Sequence, residues 1–427
     1  MQLNLVSFKS MYDKKFVIEK SQLKGSVTVS GAKNSVLRLL AASILFDKNV
    51  ELTNYPSNLL DVQIHEDMLR YLGKSVVVDG DSVVISQDSD ISTNLEWHDR
   101  SIRNTLLILG ASVAKYGYGR VPLPGGCKLG ERKYDIHVHV LESLGAKISE
   151  DGDYLVAESK ERLKGCDIHL RMRSTGATEN AILAGCLASG ITRIYNPHIR
   201  PEIIDLIDFL NKSGANIKAF GQERIEINGV KSLSSIRHCV MPDNMEALTW
   251  VILATMTKSE IKIENFPFKD LEIPLIHLRE SGVNLYRCND SAIVAEGECY
   301  PVEISTGPYP GINSDMQPLF AAFASMCNGT SHIIDLRFPG RYAYGEEMNK
   351  MNINTEINGD LFIINGTDNI KGADVKALDL RAGIALLMLG MVAEGKTVIS
   401  DSWQIKRGYN NILSKLHLLG ANIVEID

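Results

Sequence analysis

The chain lacks a long uninterrupted apolar segment, because no stretch of about 18 uncharged apolar residues occurs in it. We therefore predict no membrane-spanning helix. Its first residues, MQLNLVSFKSMYDKKF, hold too short an apolar run for a secretory signal peptide. A basic excess is missing as well: the net charge is −7, so no general attraction to nucleic acid or to an anionic membrane is expected. These absences indicate a cytoplasmic protein without nucleic acid or membrane as a partner, although they do not exclude a local basic pocket.

Paired cysteines and metal signatures are also missing. The 7 cysteines form no CxxC pair and their number is odd, which is typical of free thiols in a reducing compartment. His137 and His139 stand two apart but have no partner cysteines at metal-binding spacing. No GxxxxGK[ST] or GxGxxG element follows a strand, which excludes the usual nucleotide-binding loops. We expect neither a metal nor a cofactor.

What the chain does contain is a repeat. Six segments end an amphipathic helix and then enter an alternating strand: YLGKSVVV, SLGAKISE, KSGANIKA, ESGVNLYR, KMNINTEI and LLGANIVE. The helix stops fall at Gly73, Gly145, Gly214, Gly282, Asn352 and Gly420. Their spacings are 72, 69, 68, 70 and 68 residues. Glycine and asparagine suit the left-handed residue that ends a helix, so one supersecondary unit of roughly 70 residues is repeated along the chain.

Each copy is predicted to contain two helices and about four strands, which gives an α/β or α+β class. The first helix of a copy, such as TLLILGASVA or PLFAAFASM, is apolar all round and must be covered on every side, so sheets should surround these helices. In the copy that begins near Cys166, a polar turn at 174–178 precedes the buried helix Glu179–Ala188, and a second helix spans Pro201–Ser213. Six copies exceed one core, so we expect two domains of three copies each.

Polar or charged residues begin several of the buried helices, in the segments SGAKNS, RSTGATEN, NSDMQ and LDLRAG. Helix N-termini carry unpaired N–H groups and a partial positive charge, which favour anions. If the two groups of copies face each other, these helix starts would line a cleft. The pattern therefore predicts a phosphorylated or carboxylated ligand.

Lys33, Asp315 and Arg381 in these segments, and Arg341 in FPGRYAYG, each have two interpretations. Lys33 opposes the helix dipole unless an anion binds there, but a solvated lysine is the alternative. Asp315 is either a catalytic carboxylate or a helix cap. Arg341 and Arg381 suit phosphate or carboxylate, although either could be a surface residue or a structural ion-pair partner.

A glycine- and proline-rich loop carries the remaining candidate. Cys127 lies there beside Lys128 and close to Arg132. Neighbouring cations stabilise a thiolate, so this thiol is predicted to be reactive, whereas a bystander cysteine is the alternative. The other six cysteines are expected to be bystanders.

The order and spacing of eight short motifs resemble those of the UDP-N-acetylglucosamine 1-carboxyvinyltransferase family of enolpyruvyl transferases. The motifs are SGAKN, LPGGCKLGERKYDIH, STGAT, RPEIID, SDMQ, GRY, DLRAG and RGY. This family is similar in fold to the shikimate-phosphate enolpyruvyl synthases. The resemblance runs from about Phe16 to the C-terminus. It implies a two-domain inside-out α/β barrel with three repeats per domain. One domain would comprise residues 1–32 with 242–427, and the other would comprise 33–241.

The resemblance also implies an activity: enolpyruvate passes from phosphoenolpyruvate to the 3-hydroxyl of UDP-N-acetylglucosamine, and phosphate is released. Cys127 would act as general acid or add covalently to phosphoenolpyruvate, and Asp315 would take the proton of the sugar hydroxyl. Lys33, Arg132 and Arg381 would hold the phosphate and carboxylate of phosphoenolpyruvate. The UDP-sugar would be positioned by Asn34, Arg103, Asp135, Ser174, Thr175, Gly176 and Arg341. No cofactor is implied.

Four departures from the family pattern leave the acceptor open. Lys133 stands where the family has proline, Asn244 where it has arginine, and Arg337 where it has an apolar residue; Arg103 is followed by Asn-Thr rather than Ala-Ser. The alternatives are therefore a diverged enolpyruvyl transferase for another UDP-sugar or nucleotide, and a non-catalytic UDP-sugar-binding paralogue. The joint presence of Cys127, Asp315 and Lys33 favours an enzyme.

Overall fold

The computed structural model describes residues 13–87, 90–99, 102–123 and 134–427. The chain divides into two compact units. The first contains the chain start up to Ser30 together with Pro242–Asp427, and the second contains Gly31–Met241. The chain thus passes from one unit to the other after Ser30 and returns after Met241.

The helices of the described residues form six successive pairs, the last of which has one short extra helix. They are α1 (Lys33–Ala42), α2 (Leu60–Tyr71), α3 (Thr105–Tyr116), α4 (Asp135–Ser143), α5 (Thr175–Cys186), α6 (Pro201–Lys212), α7 (Asn244–Met256), α8 (Glu272–Glu280), α9 (Gln317–Ala324), α10 (Tyr344–Lys350), α11 (Leu380–Gly390), α12 (Trp403–Lys406) and α13 (Ile412–Leu418). Short 3₁₀ helices cover Ser43–Leu45 and Phe268–Asp270.

The strands are three to five residues long and mostly alternate between buried and exposed positions. They are β1 (Lys15–Glu19), β2 (Lys24–Thr28), β3 (Val50–Thr53), β4 (Ser75–Asp79), β5 (Ser82–Ser86), β6 (Tyr118–Pro122), β7 (Lys147–Asp151), β8 (Tyr154–Glu158), β9 (Asp167–His169), β10 (Ile191–Tyr195), β11 (Asn216–Phe220), β12 (Arg224–Asn228), β13 (Ile236–Cys239), β14 (Glu260–Glu264), β15 (Asn284–Cys288), β16 (Ser291–Ala295), β17 (Glu303–Ser305), β18 (Thr330–Ile334), β19 (Asn354–Asn358), β20 (Leu361–Asn365), β21 (Asp374–Lys376), β22 (Lys396–Ser400) and β23 (Ile423–Ile426).

These strands form three sheets in each unit. In the first unit the strand orders are β21-β22-β1-β23, β15-β16-β14-β2 and β17-β18-β20-β19. In the second they are β11-β12-β10-β9, β13-β3-β5-β4 and β6-β8-β7, the last of which is extended by an isolated bridge between Asn94 and Arg120. The start of the chain completes two sheets of the first unit, because β1 lies between β22 and β23 while β2 pairs in parallel with β14.

The predicted six-fold repeat is confirmed at its helix stops. Each predicted stop has a left-handed backbone, with φ of 100° at Gly73, 100° at Gly145, 104° at Gly214, 96° at Gly282, 65° at Asn352 and 86° at Gly420. The last residue of a helix lies two positions before each stop, and a strand begins two or three residues after it. The residue type at the stop therefore encodes the helix-to-strand reversal.

The first helix of each pair forms the interior, as its sequence predicts. Every residue of α7 is buried, and all residues of α11 but the first are buried. In the first unit α9 packs against α7 and α11, and in the second α3 packs against α1 and α5. Helices therefore lie inside and sheets outside in both units. No helix among the described residues is long and apolar enough to cross a membrane.

One local prediction is wrong. The segment 174–178 is not a polar turn before the helix, because α5 already begins at Thr175. Ser174 is its N-cap, and the Ser174 side chain accepts a hydrogen bond from the Ala177 amide at 3.4 Å. Thr178 donates its hydroxyl to the Ser174 carbonyl at 2.8 Å, so hydroxyl groups that suggested a turn instead stabilise a helix start.

Candidate functional site

The first unit brings together three of the predicted site residues. Asp315 lies between β17 and α9, Arg341 lies in the loop between β18 and α10, and Arg381 is the second residue of α11. Arg341 Nη1 donates to Asp315 Oδ1 at 3.1 Å, and Arg341 Nη2 donates to Asp379 Oδ2 at 3.3 Å. Arg381 Nε lies 3.8 Å from Asp315 Oδ2. We call Asp315, Arg341, Asp379 and Arg381 the acid–arginine cluster.

Both arginines of this cluster are buried, whereas the carboxylate of Asp315 is partly open. The exposed side-chain fractions are 8% for Arg341, 3% for Arg381 and 33% for Asp315. Burial alone would lower the pKa of Arg341, but the carboxylates of Asp315 and Asp379 outweigh it and raise that pKa. Burial opposes the charge of Arg381 too, and Tyr409, Asp315 and Asp243 raise its pKa above the ordinary value. Both guanidinium groups therefore remain cationic.

Each guanidinium keeps one unused donor. The buried Nε atoms of Arg341 and Arg381 find no hydrogen-bond acceptor among the described residues. A buried donor without an acceptor costs roughly 1–3 kcal/mol, so such atoms are uncommon in a folded protein. An anion bound beside Asp315 would supply the acceptors.

Asp379 and Asp335 hold the two arginines in place. Asp379 caps α11, since its Oδ1 accepts from the Arg381 amide at 2.7 Å and from the Ala382 amide at 2.9 Å. The fully buried Asp335 anchors the loop of Arg341. Its Oδ1 accepts from the amides of Arg337 and Phe338, both at 2.9 Å. The positions of the cations are therefore set by backbone contacts as well as by ion pairs.

In the second unit, Lys33 occupies the first position of α1, as predicted. Its Nζ lies 2.6 Å from Asp61 Oδ2 in the first turn of α2. Both side chains are almost fully buried, with exposed fractions of 10% and 5%. The helix start has no side-chain cap, so Asp61 compensates a cation that the dipole of α1 disfavours.

His137 lies close to three more of the predicted site residues, Arg103, Asp135 and Gly176. A Cβ on Gly176 would lie 2.9 Å from two atoms of the His137 ring, so the ring packs directly against the glycine. Burial lowers the pKa of His137 to about 3, with a further lowering by Arg103 and an opposing effect of Asp135. The imidazole is therefore neutral at physiological pH, and Arg103, Asp135 and Gly176 lie around one uncharged ring.

Ser174, Thr175 and Asn34 lie at the starts of two buried helices. Thr175 Oγ1 lies 2.9 Å from His198 Nδ1, next to the N-cap Ser174. The carbonyl of Asn34 accepts a hydrogen bond from Arg38, which also pairs with the buried Glu179 of α5. The Arg38–Glu179 pair therefore ties α1 to α5, and with it the segment of Asn34 to that of Ser174.

Two predicted residues, Cys127 and Arg132, lie outside the described residues, as does Lys133. The six described cysteines are free thiols. Burial raises the pKa of Cys186 and of Cys299 to about 12, and it raises that of Cys327 as well. These three thiols are unsuited to nucleophilic chemistry.

Sequence reasoning missed three partners of the predicted residues, namely Asp61, Asp379 and Tyr409. The N-cap role of Asp379 could have been predicted, because aspartate directly before an apolar helix is a common N-cap. Tyr409 belongs to the RGY segment and its hydroxyl accepts a hydrogen bond from Arg381, but nothing local to that segment identifies this partner. Asp61 stands 28 positions after Lys33, a separation that no spacing rule links to a cation.

Comparison with known proteins identifies the group to which this chain is related. It is 40% identical over 412 residues to UDP-N-acetylglucosamine 1-carboxyvinyltransferase 1 of Caldanaerobacter subterraneus subsp. tengcongensis, covering 96% of this chain and 99% of the relative. It is 36% identical over 416 residues to UDP-N-acetylglucosamine 1-carboxyvinyltransferase of Finegoldia magna, covering 96% of this chain and 98% of the relative. The chain belongs to the UDP-N-acetylglucosamine 1-carboxyvinyltransferase family.

The wider relationships agree with this family. The pattern of the EPSP synthase (3-phosphoshikimate 1-carboxyvinyltransferase) family matches residues 17–416. Among solved structures, the enolpyruvyl transferase NikO from Streptomyces tendae superposes with a TM-score of 0.87 at 22% identity, covering 97% of this chain and 99% of that one. EPSP synthase from Acinetobacter baumannii has a TM-score of 0.73 at 17% identity, with coverage of 97% and 100%. The predicted inside-out α/β fold is thereby confirmed.

Proposed function

We propose that this protein transfers the enolpyruvyl group of phosphoenolpyruvate to the 3-hydroxyl of UDP-N-acetylglucosamine and releases phosphate. That reaction is the first committed step of peptidoglycan precursor synthesis, and we propose that it occurs in the cytoplasm. The observation that carries the proposal is the acid–arginine cluster, in which a partly open carboxylate stands beside two buried cations with unused donors. Family membership supplies the reaction class.

The proposed roles follow the chemistry of the donor. Phosphoenolpyruvate brings a carboxylate and a phosphate, and fixed cations must offset the cost of removing these groups from water. Arg381, Lys33 and Arg132 are proposed to hold them. Asn34, Arg103, Asp135, Ser174, Thr175, Gly176 and Arg341 are proposed to position the UDP-sugar. Under this scheme residues 1–32 with 242–427 form one domain and 33–241 form the other.

The proposed chemistry proceeds by addition and elimination. An acid protonates the vinyl CH₂ carbon of phosphoenolpyruvate, and the sugar oxygen bonds to the adjacent carbon while Asp315 accepts the hydroxyl proton. The resulting tetrahedral intermediate then loses a proton from the methyl carbon and expels phosphate, which restores the double bond. Cys127 is proposed as the acid or as a thiol that adds covalently to the donor.

A diverged acceptor is the second candidate, and one observation favours it. Arg337 is exposed in the loop that carries Arg341, and no described carboxylate lies within ion-pair distance of its guanidinium. Its charge is available to an acceptor group that the family's apolar residue would not bind. Asn244, by contrast, is buried at the start of α7, directly after the cap Asp243.

Phosphate release from phosphoenolpyruvate tests both candidates and the non-catalytic alternative. The assay is run with UDP-N-acetylglucosamine and with a panel of other UDP-sugars and of nucleotides. Release with UDP-N-acetylglucosamine supports the proposed reaction, and release with only another acceptor rejects it in favour of a diverged enzyme. Folded protein that releases no phosphate with any acceptor supports a binding paralogue.

The role of Cys127 has its own test. The resemblance implies that fosfomycin labels this thiol, so Cys127→Ser should abolish labelling as measured by intact-protein mass spectrometry. Cys239→Ser is the matched control, because Cys239 is an exposed free thiol elsewhere in the chain. Labelling that persists in Cys127→Ser and disappears in Cys239→Ser would refute the assignment.

A further inference from the structure

The side chain of Tyr409 lies in the first unit directly against the guanidinium of Arg381. Arg381 Nη1 lies 3.3 Å from the Tyr409 hydroxyl, and its guanidinium carbon lies 5.7 Å from the centre of the phenol ring. Tyr409 Oη also lies 2.9 Å from Thr249 Oγ1, and Thr249 Oγ1 lies 2.8 Å from the carbonyl oxygen of Met245. Tyr409 and Thr249 are almost fully buried, at 2% and 1% exposure.

Only one placement of the hydrogens satisfies all three contacts. A guanidinium can only donate and a carbonyl can only accept, so the two ends of the chain are fixed. Thr249 must then donate to Met245, Tyr409 must donate to Thr249, and Arg381 must donate to Tyr409. Because each hydroxyl uses its single hydrogen in one direction, the phenol oxygen can present only an acceptor to Arg381.

This hydrogen-bonded chain competes with an ion pair. Arg381 Nε lies 3.8 Å from Asp315 Oδ2, which is within ion-pair range but beyond hydrogen-bond length. A small rotation of the guanidinium would bring the two into direct contact at about 2.8 Å. The bond to Tyr409 opposes that rotation. The phenol also stays protonated, since burial raises the pKa of Tyr409.

We propose that Tyr409 is a positioning residue, which holds the Arg381 guanidinium back from Asp315 so that Arg381 pairs with the anionic donor rather than with the catalytic carboxylate. Without the phenol hydroxyl, Arg381 closes on Asp315. The carboxylate then becomes a weaker base and the cation a weaker anion ligand. The kinetic consequence rests on the function proposed above, whereas the distance between Arg381 and Asp315 does not.

Tyr409→Phe is the decisive variant, because it keeps the ring and removes only the hydroxyl. We expect the crystal structure of the ligand-free variant to show Arg381 Nε within hydrogen-bond distance of Asp315. In the phosphate-release assay, kcat should fall about ten- to a hundredfold, as for loss of a hydrogen bond to a charged group, and KM for phosphoenolpyruvate should rise. The acid limb of the pH profile of kcat should move about one unit lower, because a closer cation favours the ionised carboxylate.

Variants of two other residues, Tyr55 and Thr249, separate positioning from a loss of stability. Tyr55→Phe removes an equally buried phenol hydroxyl from the second unit, where it donates to Glu66 at 2.8 Å. This variant should lose stability while the acid limb and both kinetic constants stay as in the wild type. Thr249→Val should reproduce the Tyr409→Phe changes in part, and Thr249→Ser, which keeps the hydroxyl, should restore wild-type values.

The outcomes are distinguishable. An unchanged Arg381–Asp315 distance in Tyr409→Phe overturns the inference, whatever the activity. A shortened distance with an unmoved acid limb overturns its kinetic part, as does an equal loss of activity in Tyr55→Phe. If the wild-type protein releases no phosphate, the proposed function fails, and the crystallographic distance still decides whether Tyr409 positions Arg381.

Discussion

Replacing Asp315 by asparagine separates its proposed role as a base from any role in binding. The change keeps the shape and one acceptor oxygen but removes the negative charge and the proton acceptor, so kcat should fall by about 10²–10⁴. The acid–arginine cluster contains two carboxylates and two guanidinium groups, and its formal charge would change from 0 to +1. Binding of the anionic donor should therefore be retained, and KM for phosphoenolpyruvate should be unchanged or lower.

The cost in stability should be much smaller than the cost in rate. Breaking a fully buried ion pair costs about 3–5 kcal/mol, but Asp315 is one-third exposed and both arginines keep a second partner, Asp379 or Tyr409. We expect a loss of about 1–2 kcal/mol. For the first unit, with 30 and 186 residues in its two segments, this lowers Tm by roughly 2–8 °C.

Steady-state phosphate release and thermal unfolding of the same preparation measure both quantities. Glu347→Gln is the matched control, because Glu347 is a mostly buried carboxylate of the same unit, paired with Lys350 at 2.8 Å. It should show a comparable fall in Tm with kcat unchanged. Retention of more than about a tenth of wild-type kcat in Asp315→Asn would refute general-base catalysis by this residue, since the expected loss is at least a hundredfold.

Three further results are expected. Gly176→Ala should raise KM for the UDP-sugar and lower stability by about 1–3 kcal/mol, because the new Cβ would meet the His137 ring at 2.9 Å; wild-type kinetics would contradict that packing. Asp61→Asn should lower KM for phosphoenolpyruvate more than it changes KM for the UDP-sugar, since the Asp61 carboxylate, 2.6 Å from Lys33 Nζ, no longer competes with the anionic donor for that cation; equal changes would argue against a role of Lys33 in donor binding. Burial lowers the pKa of His65 to about 3, so the unfolded chain binds more protons than the folded one between pH 6.5 and 3, and stability falls as pH falls through that window. His65→Met should therefore reduce the difference in unfolding free energy between pH 7 and pH 5 by up to roughly 2 kcal/mol, as measured by denaturant titration. An unreduced difference would count against a neutral buried imidazole.

The fold could be predicted from the sequence because its determinants are local. A glycine such as Gly145 or an asparagine such as Asn352 ends a helix through its own backbone preference, and an apolar helix such as α7 requires burial whatever surrounds it. The helix start at Thr175 was missed because hydroxyl side chains stabilise both turns and N-caps, and the residues alone do not distinguish the two.

The sequence predicted the individual residues of the site but not which of them contact each other. Asp315, Arg341 and Arg381 come from three different connections of the first unit, and no periodicity links their positions. Their pairing depends on the packing of α9 against α11, which is a tertiary property. The same holds for Tyr409, whose two partners are 28 and 160 positions away in sequence.

In both units, a carboxylate from another segment lies close to a cation at the start of a buried helix. A cation at the start of a buried helix is disfavoured by the helix dipole and by desolvation, yet Lys33 begins α1 and Arg381 lies in the first turn of α11. In each case a carboxylate from another segment lies within 4 Å, Asp61 for Lys33 and Asp315 for Arg381. An anionic ligand that replaces such a carboxylate as the partner of the cation binds the cation and the unpaired N–H groups of the helix start at the same time. Neutralising one of these carboxylates should therefore strengthen anion binding while weakening the fold, a combination that a purely structural ion pair would not produce.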